Sequence, residues 1–234
     1  MKLAIMQPYF MPYIGYFQLI NTVDKFVVYD NIKFTKKGWI NRNRILNGSK
    51  DEMFSIPIKK DSDYLDIFER SLASDYLEQN KKTLRKIENY YRKAPQFQNV
   101  FPLIESVFLY QEHNNLFEFI VNSIQQINNY LEIGTEIIVS STVNIDHYLK
   151  SQAKVIAICQ ELKASQYINA IGGQDLYKKE DFAIVDIELK FLKTFPIEYK
   201  QFNNNFVPWL SIIDILMFNS VDEVNNMLDK FELI

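Results

Sequence analysis

Six cations and no acids lie between Asn31 and Lys50: Lys33, Lys36, Lys37, Arg42, Arg44 and Lys50. The formal net charge of the whole chain is −3, so this local concentration stands out. Its small extent suits a phosphate-bearing small ligand, whereas duplex nucleic acid needs a wider basic face and is not an expected partner. Arg42 and Arg44 could clamp phosphate oxygens bidentately. Trp39 could stack on a base or sugar face, and Asn41 could read ring hydroxyls. On a regular strand the two arginines share one face, while Trp39, Asn41 and Asn43 share the other. All of them can meet one ligand only if the backbone bends. The lysines fit a solvated cationic hairpin nearly as well.

A second segment, Gln7 to Phe17, carries Pro8, Pro12 and Gly15 among many aromatics. The prolines fix its path, and Gln7, Tyr9 and Tyr16 offer polar tips to a ligand. Asp30 ends an apolar stretch, which fits either a general base or a loop cap. His147 is the better acid/base candidate of the two histidines. Ser141 could bind phosphate after another strand, and Gly173 could line the same cleft. Cys159 falls on an apolar helix face and reads as core.

Composition removes other chemistries. One Cys and two His cannot form a disulfide framework or supply four zinc ligands. No metal site is expected, although an oxygen-ligand magnesium site is not excluded, and no cofactor is identified. The start MKLAIMQPYF does not read as a signal peptide, and no apolar run approaches the ~18 residues that span a bilayer. A cytoplasmic protein with no membrane span is the expectation.

The elements that must position these residues divide into three textures. Residues 1–60 predict strands at Leu3–Met6, Lys25–Asp30, Trp39–Leu46 and Met53–Ile58, with a short helix over 14–20. Asn47-Gly48-Ser49 reads as a turn. Residues 64–133 predict a helical insertion with helices over 77–93, 101–110 and 116–131, the last capped by Gly134. Beyond it, strands are expected at 136–140, 166–169 and 183–191. A helix capped by Asp146 and a C-terminal helix with a Ser220/Glu223 capping box complete the pattern. One α/β domain over 1–234, with a mostly parallel sheet, follows. Ligands then bind beyond the carboxyl ends of the strands.

Three stretches resemble the WbqC-like protein family. They are Met6 to Phe17, Lys25–Asp30 and Gly38-Trp39-Ile40-Asn41-Arg42-Asn43-Arg44. Tyr91 to Pro95, Ser140-Ser141-Thr142, Gly172-Gly173 with Tyr177, and Phe206 to Asp214 agree in order and spacing. The resemblance implies a role in bacterial surface-polysaccharide or O-antigen assembly. Acyl or aminoacyl transfer to a nucleotide-linked amino sugar is the reaction it suggests, and non-catalytic binding of a glycan or nucleotide sugar is the alternative. The resemblance transfers no catalytic residue.

The strand–loop–helix start is also similar to the nucleotidyltransferase layout, which implies a Rossmann-like sheet and suggests an ATP-dependent ligase as a further alternative. Tyr13-Ile14-Gly15-Tyr16 stands where that layout has His-x-Gly-His. Tyr is uncharged at neutral pH and stabilises phosphate charge poorly, which weighs against adenylyl transfer.

Overall fold

The computed structural model describes residues 1–203 and 205–234. In chain order its strands are β1 (Lys2–Met6), β2 (Lys25–Val28), β3 (Arg42–Asn47), β4 (Lys50–Ser55), β5 (Glu136–Val139), β6 (Gln166–Ala170), β7 (Glu188–Thr194) and β8 (Phe231–Leu233). Its α-helices are α1 (Ile14–Thr22), α2 (Tyr76–Tyr91), α3 (Phe97–Phe108), α4 (Leu116–Tyr130), α5 (Ser151–Glu161), α6 (Lys179–Ala183), α7 (Ile212–Phe218) and α8 (Val221–Leu228).

The main sheet runs β5-β2-β1-β6-β7-β8. Every pairing is parallel except the last, β7 with β8. Both faces must be covered, and the strand sequences show it. Ala4, Phe26, Val28, Ile168 and Leu192 pack on one face, under α1, α7 and α8. Leu3, Ile5, Val27, Tyr167, Leu189 and Phe191 pack on the other, under α5 and α6. This strict alternation is what a strand period of two requires when both faces are apolar. From β1 the chain winds out through β2 to β5, then returns to the other side for β6 and β7. The winding therefore reverses between β1 and β6, and the carboxyl ends of these strands open a crevice there.

Between β2 and β5 the chain leaves the sheet. It forms the β3–β4 hairpin, with Gly48 at φ +62° in its tight turn, and then α2, α3 and α4. These helices join the core on the α1 side through Ile87, Ile104, Phe119 and Ile124, all fully or almost fully buried. Asn115 caps α4 by accepting from the backbone N–H of Phe117 and Glu118. The capping box of Ser220 and Glu223 forms at α8 as the spacing predicts.

One buried carboxylate ties the outlying segments together. Asp214, in the first turn of α7, is 0% exposed. It accepts from Tyr91 Oη (2.6 Å), Tyr199 Oη (2.6 Å) and Gln201 Nε2 (2.7 Å). Tyr91 Oη in turn accepts from the backbone N–H of Leu46 in β3. Burial outweighs these donors and holds the Asp214 carboxyl above its ordinary pKa.

Several expected boundaries move. Residues 64–75 are not helical. They pair as antiparallel bridges (Lys33 with Asp66, Ile58 with Leu72, Ser71 with Asn115) around a 3₁₀ turn at Ile67–Glu69. The second helix of the insertion, expected over 101–110, starts one turn earlier at Phe97, whose ring stacks on Phe101. After α4 the left-handed position is taken by Glu132 (φ 58°) and not by Gly134. Asp146 does not cap α5, which begins at Ser151, and accepts instead from the N–H of Tyr148. The strand expected over 183–191 begins at Glu188, because α6 buries Phe182 and Asp186 (φ 57°) turns the chain first. The C-terminal helix ends at Leu228, and Phe231 begins β8.

Replacing Asp214 with Asn leaves three donors facing a weaker acceptor that carries donors of its own. Asp214→Asn is expected to cost about 2–3 kcal/mol, read as a lower urea midpoint. The raised carboxyl also means that the folded state holds this proton more tightly than the unfolded chain does. Its contribution therefore falls as pH rises above the ordinary carboxylate value, and the Asn variant lacks that slope.

Candidate functional site

Two features occupy the carboxyl edge of the parallel sheet. The first is a cavity of about 340 Å³ where β7 ends at Thr194 and α1 begins at Ile14. Its walls are largely aromatic and proline: Tyr13, Phe195, Tyr199, Phe206, Pro208 and Trp209, with Glu198 as its one carboxylate. Flat apolar walls with a few polar tips suit a ring, whether sugar or base.

The cavity is rigidly built. Met11 (φ 44°) and Trp209 (φ 60°) both sit in the left-handed region, which L-residues with large side chains rarely adopt. Their neighbours hold them there. The Met11 carbonyl accepts from Ser211 Oγ (2.6 Å) and Asn43 Nδ2 (2.7 Å). The Pro12 carbonyl accepts from the N–H of Ile212 (2.8 Å). Arg44 Nη2 donates to the Trp209 carbonyl (3.1 Å). As a result the Trp209 side chain stands 60% exposed with its edge against Tyr13. The Tyr13 ring lies directly over Gly15, where a Cβ would come within 2.4 Å of it.

The second feature is a polar cluster at the ends of β2 and β5. Asp30, 4% exposed, accepts through Oδ1 from Ser140 Oγ (2.7 Å) and the N–H of Ser141 (2.9 Å). Those two bonds do not engage Oδ2. Lys154, 6% exposed, reaches in from α5 and donates to Asn31 Oδ1 (2.9 Å). Its ammonium also lies over the Tyr29 ring. Asn31 Nδ2 donates to His147 Nδ1 (3.0 Å). Burial pulls the Lys154 pKa below its ordinary value, against the pull of Asp30 and Asp66 in the other direction. Desolvation likewise raises Asp66, and Glu69 adds to the effect. A buried carboxylate with one free oxygen, a neighbouring ammonium and an imidazole at the rim can take and relay a proton.

The sequence candidates therefore fall into separate groups. Asp30, Ser141 and His147 come together through Ser140 and Asn31. Gly173 follows β6 and packs on Asn169, whose Nδ2 lies 2.3 Å from where a Gly173 Cβ would stand. Gln7 ends β1, half-buried, and its carbonyl accepts from the buried Tyr16 hydroxyl (3.0 Å), whose ring packs on Tyr9.

Arg42, Arg44 and Trp39 form their own group: the two arginines share one face of β3 opposite the buried Asn43, as a strand requires, but Trp39 does not join Asn43 on the other face. β3 begins only at Arg42, so Trp39 precedes the pleat and folds back against both guanidinium groups (5.9 and 5.5 Å to the ring centroid). Arg42 donates to the carbonyls of Lys37 and Gly38. Arg44 pairs with Asp51 and Trp209. Asn41 Nδ2 is bonded to the Ile56 carbonyl.

Lys154 and the wall residues Phe195 and Tyr199 escaped the sequence reading. Lys154 had a visible signal, since it lies one helical turn before Ile158 on an apolar face. Tyr13 and Phe206 to Trp209 lie in strings that the sequence singles out, but Phe195 and Tyr199 have no such signal, and the fold alone brings these segments together.

Comparison with known proteins agrees with the resemblance. One relative is the uncharacterized protein Rv1507c of Mycobacterium tuberculosis, 26% identical over 216 residues, which covers 92% of each chain. No solved structure matches. Among the described residues, no helix is long and apolar enough to cross a membrane. The model of the WbqC-like protein family matches residues 7–226, from the first loop to α8, and the chain belongs to that family.

Proposed function

We propose that the chain is a single-domain enzyme that transfers an acyl or aminoacyl group to the amine of a nucleotide-linked amino sugar, in the cytoplasm, during bacterial surface-polysaccharide assembly. The observation that carries this reading is the buried Asp30, held through one oxygen at a strand end beside Lys154 and His147. In the reaction the sugar amine attacks the carbonyl carbon of an activated acyl donor. Asp30 takes the amine proton, and the donor's leaving group departs with the bonding electrons. Lys154 supplies a positive charge beside Asp30, and the proton taken up by Asp30 then leaves to solvent past His147 at the rim. The aromatic cavity holds the sugar or base ring. The parallel strand order with its reversal between β1 and β6 supports a Rossmann-like reading of the sheet. The Tyr16 hydroxyl is bonded to Gln7, which disfavours adenylyl transfer as the alternative.

Two experiments test this reading. A thermal-shift and titration screen with nucleotide-linked amino sugars should find a ligand whose affinity drops about tenfold in Trp209→Ala, the loss of one aromatic contact. Asp30→Asn should keep that affinity and slow acyl transfer roughly 10²–10⁴-fold. Binding without turnover in the native chain would establish a non-catalytic binder, and no binding at all would end the reading. Lys154 gives a separate check. Its lowered pKa makes the folded state hold the proton less tightly than the unfolded chain. Stability should therefore rise as pH climbs from the lowered value toward 10.5, and Lys154→Met should abolish that slope in a urea series.

A further inference from the structure

Among the described residues, Arg70 is the most deeply buried cation, at 2% exposure. Its guanidinium lies over the Phe34 ring, 4.8 Å from the centroid. Nε and Nη2 are both buried with no hydrogen-bond partner. Among the described residues no carboxylate forms an ion pair with it. Arg44 also has an unpartnered Nε, but both of its Nη atoms are bonded. A guanidinium cannot shed its proton at any ordinary pH, so Arg70 remains a desolvated charge with no carboxylate in contact, and Asp63 acts on it only through space. Native structures rarely leave such a group unmatched.

The group faces a cavity of about 240 Å³ that shares no wall residue with the aromatic cavity. Lys36, Lys59 and Lys60 line it with Arg70, against the single carboxylate of Asp61. Asp61 lies 4.0 Å from Lys59, and Lys36 pairs with Asp63 outside the wall.

The backbone around Arg70 is fixed. Its N–H donates to the Ile67 carbonyl, and its carbonyl accepts from the N–H of Leu116 at the start of α4. Asn115 donates to the Phe68 carbonyl, and Ile67 and Phe68 bond to the Ile32 and Asp30 carbonyls. The Arg70 main chain is therefore held in place by α4 and by the loop that leaves β2.

We propose that this cavity is an oxyanion site, in which the Arg70 guanidinium forms one wall and draws in a phosphoryl group of a small ligand. The rim lysines Lys36, Lys59 and Lys60 neutralise the remaining charge. The Phe34 ring holds the guanidinium plane from the apolar side. This site stands apart from the amine-transfer reading, since it rests on different residues and a different cavity.

The test is phosphorus NMR and thermal shift of the full chain with inorganic phosphate and with methyl phosphate, at constant ionic strength, with acetate as the comparison anion. Binding at about 1 mM is expected for both phosphates and not for acetate. Arg70→Met should abolish it. If that variant fails to fold, Lys59→Ala combined with Lys60→Ala, both exposed, should weaken binding about tenfold while the melting temperature without phosphate stays at the native value. Trp209→Ala should bind phosphate normally, which separates this site from the aromatic one. No phosphate binding at about 10 mM would overturn the proposal. So would phosphate binding that survives Arg70→Met or, where that variant does not fold, the double lysine variant, as would acetate binding equal to phosphate.

Discussion

A carboxylate buried among neutral donors is the constraint on which the rest of the molecule depends. Among the described residues Asp214 has no cation beside it, and its donors are Tyr91, Tyr199 and Gln201. These come from the end of α2 and from the segment after β7, and Tyr91 extends the chain of bonds to the backbone of β3. An unmatched buried charge costs far more than a hydrogen bond returns, so each donor must be present for the others to be tolerable. The interaction is therefore all-or-none, and it fixes the hairpin, the helical insertion and the 206–214 segment in one arrangement.

That arrangement sets the geometry of the aromatic cavity. Left-handed backbone at Met11 and Trp209 costs on the order of 1–3 kcal/mol each. Ser211, Asn43 and Arg44 hold both positions through carbonyl oxygens, which leaves the rings free of that duty. The cationic Trp39–Arg44 stretch thus acts largely as a brace. Arg44 bonds to the backbone that carries the cavity wall, while Arg42 bonds to the carbonyls of its own loop at Lys37 and Gly38.

The readable parts of the sequence were those governed by local physics. The strands at Leu3–Met6 and Lys25–Val28, the face of α4 and the capping box at Ser220 depend on residues a few positions apart, and the pattern finds them. The family motifs were legible for the same reason, as contiguous strings. What failed depended on tertiary context. Ala183 to Phe191 alternates like a strand, yet Phe182 is drawn into the core and its neighbourhood winds into α6. Gly134 stands past a helix whose left-handed residue is Glu132, because the chain turns two residues sooner. At the site, Asp30, Ser141 and His147 were nameable from strand ends, while Lys154 and the cavity walls needed the crossing of α5 and the return of the C-terminal segment. The arginines were found by charge, but charge alone cannot say which donors the backbone already holds.

The central strand has a consequence for how the chain is made. β1 begins at Lys2 and lies in the middle of the sheet, between β2 and β6. β6 begins at Gln166, so one side of β1 stays open while most of the protein leaves the ribosome. At synthesis rates of about 5–20 residues per second, that edge is exposed for roughly ten to thirty seconds. Leu3 and Ile5 then have no α5 to cover them, and an unpaired apolar strand is a template for other chains. Lys2, exposed at the start of that strand, places a charge where a wrong partner would dock.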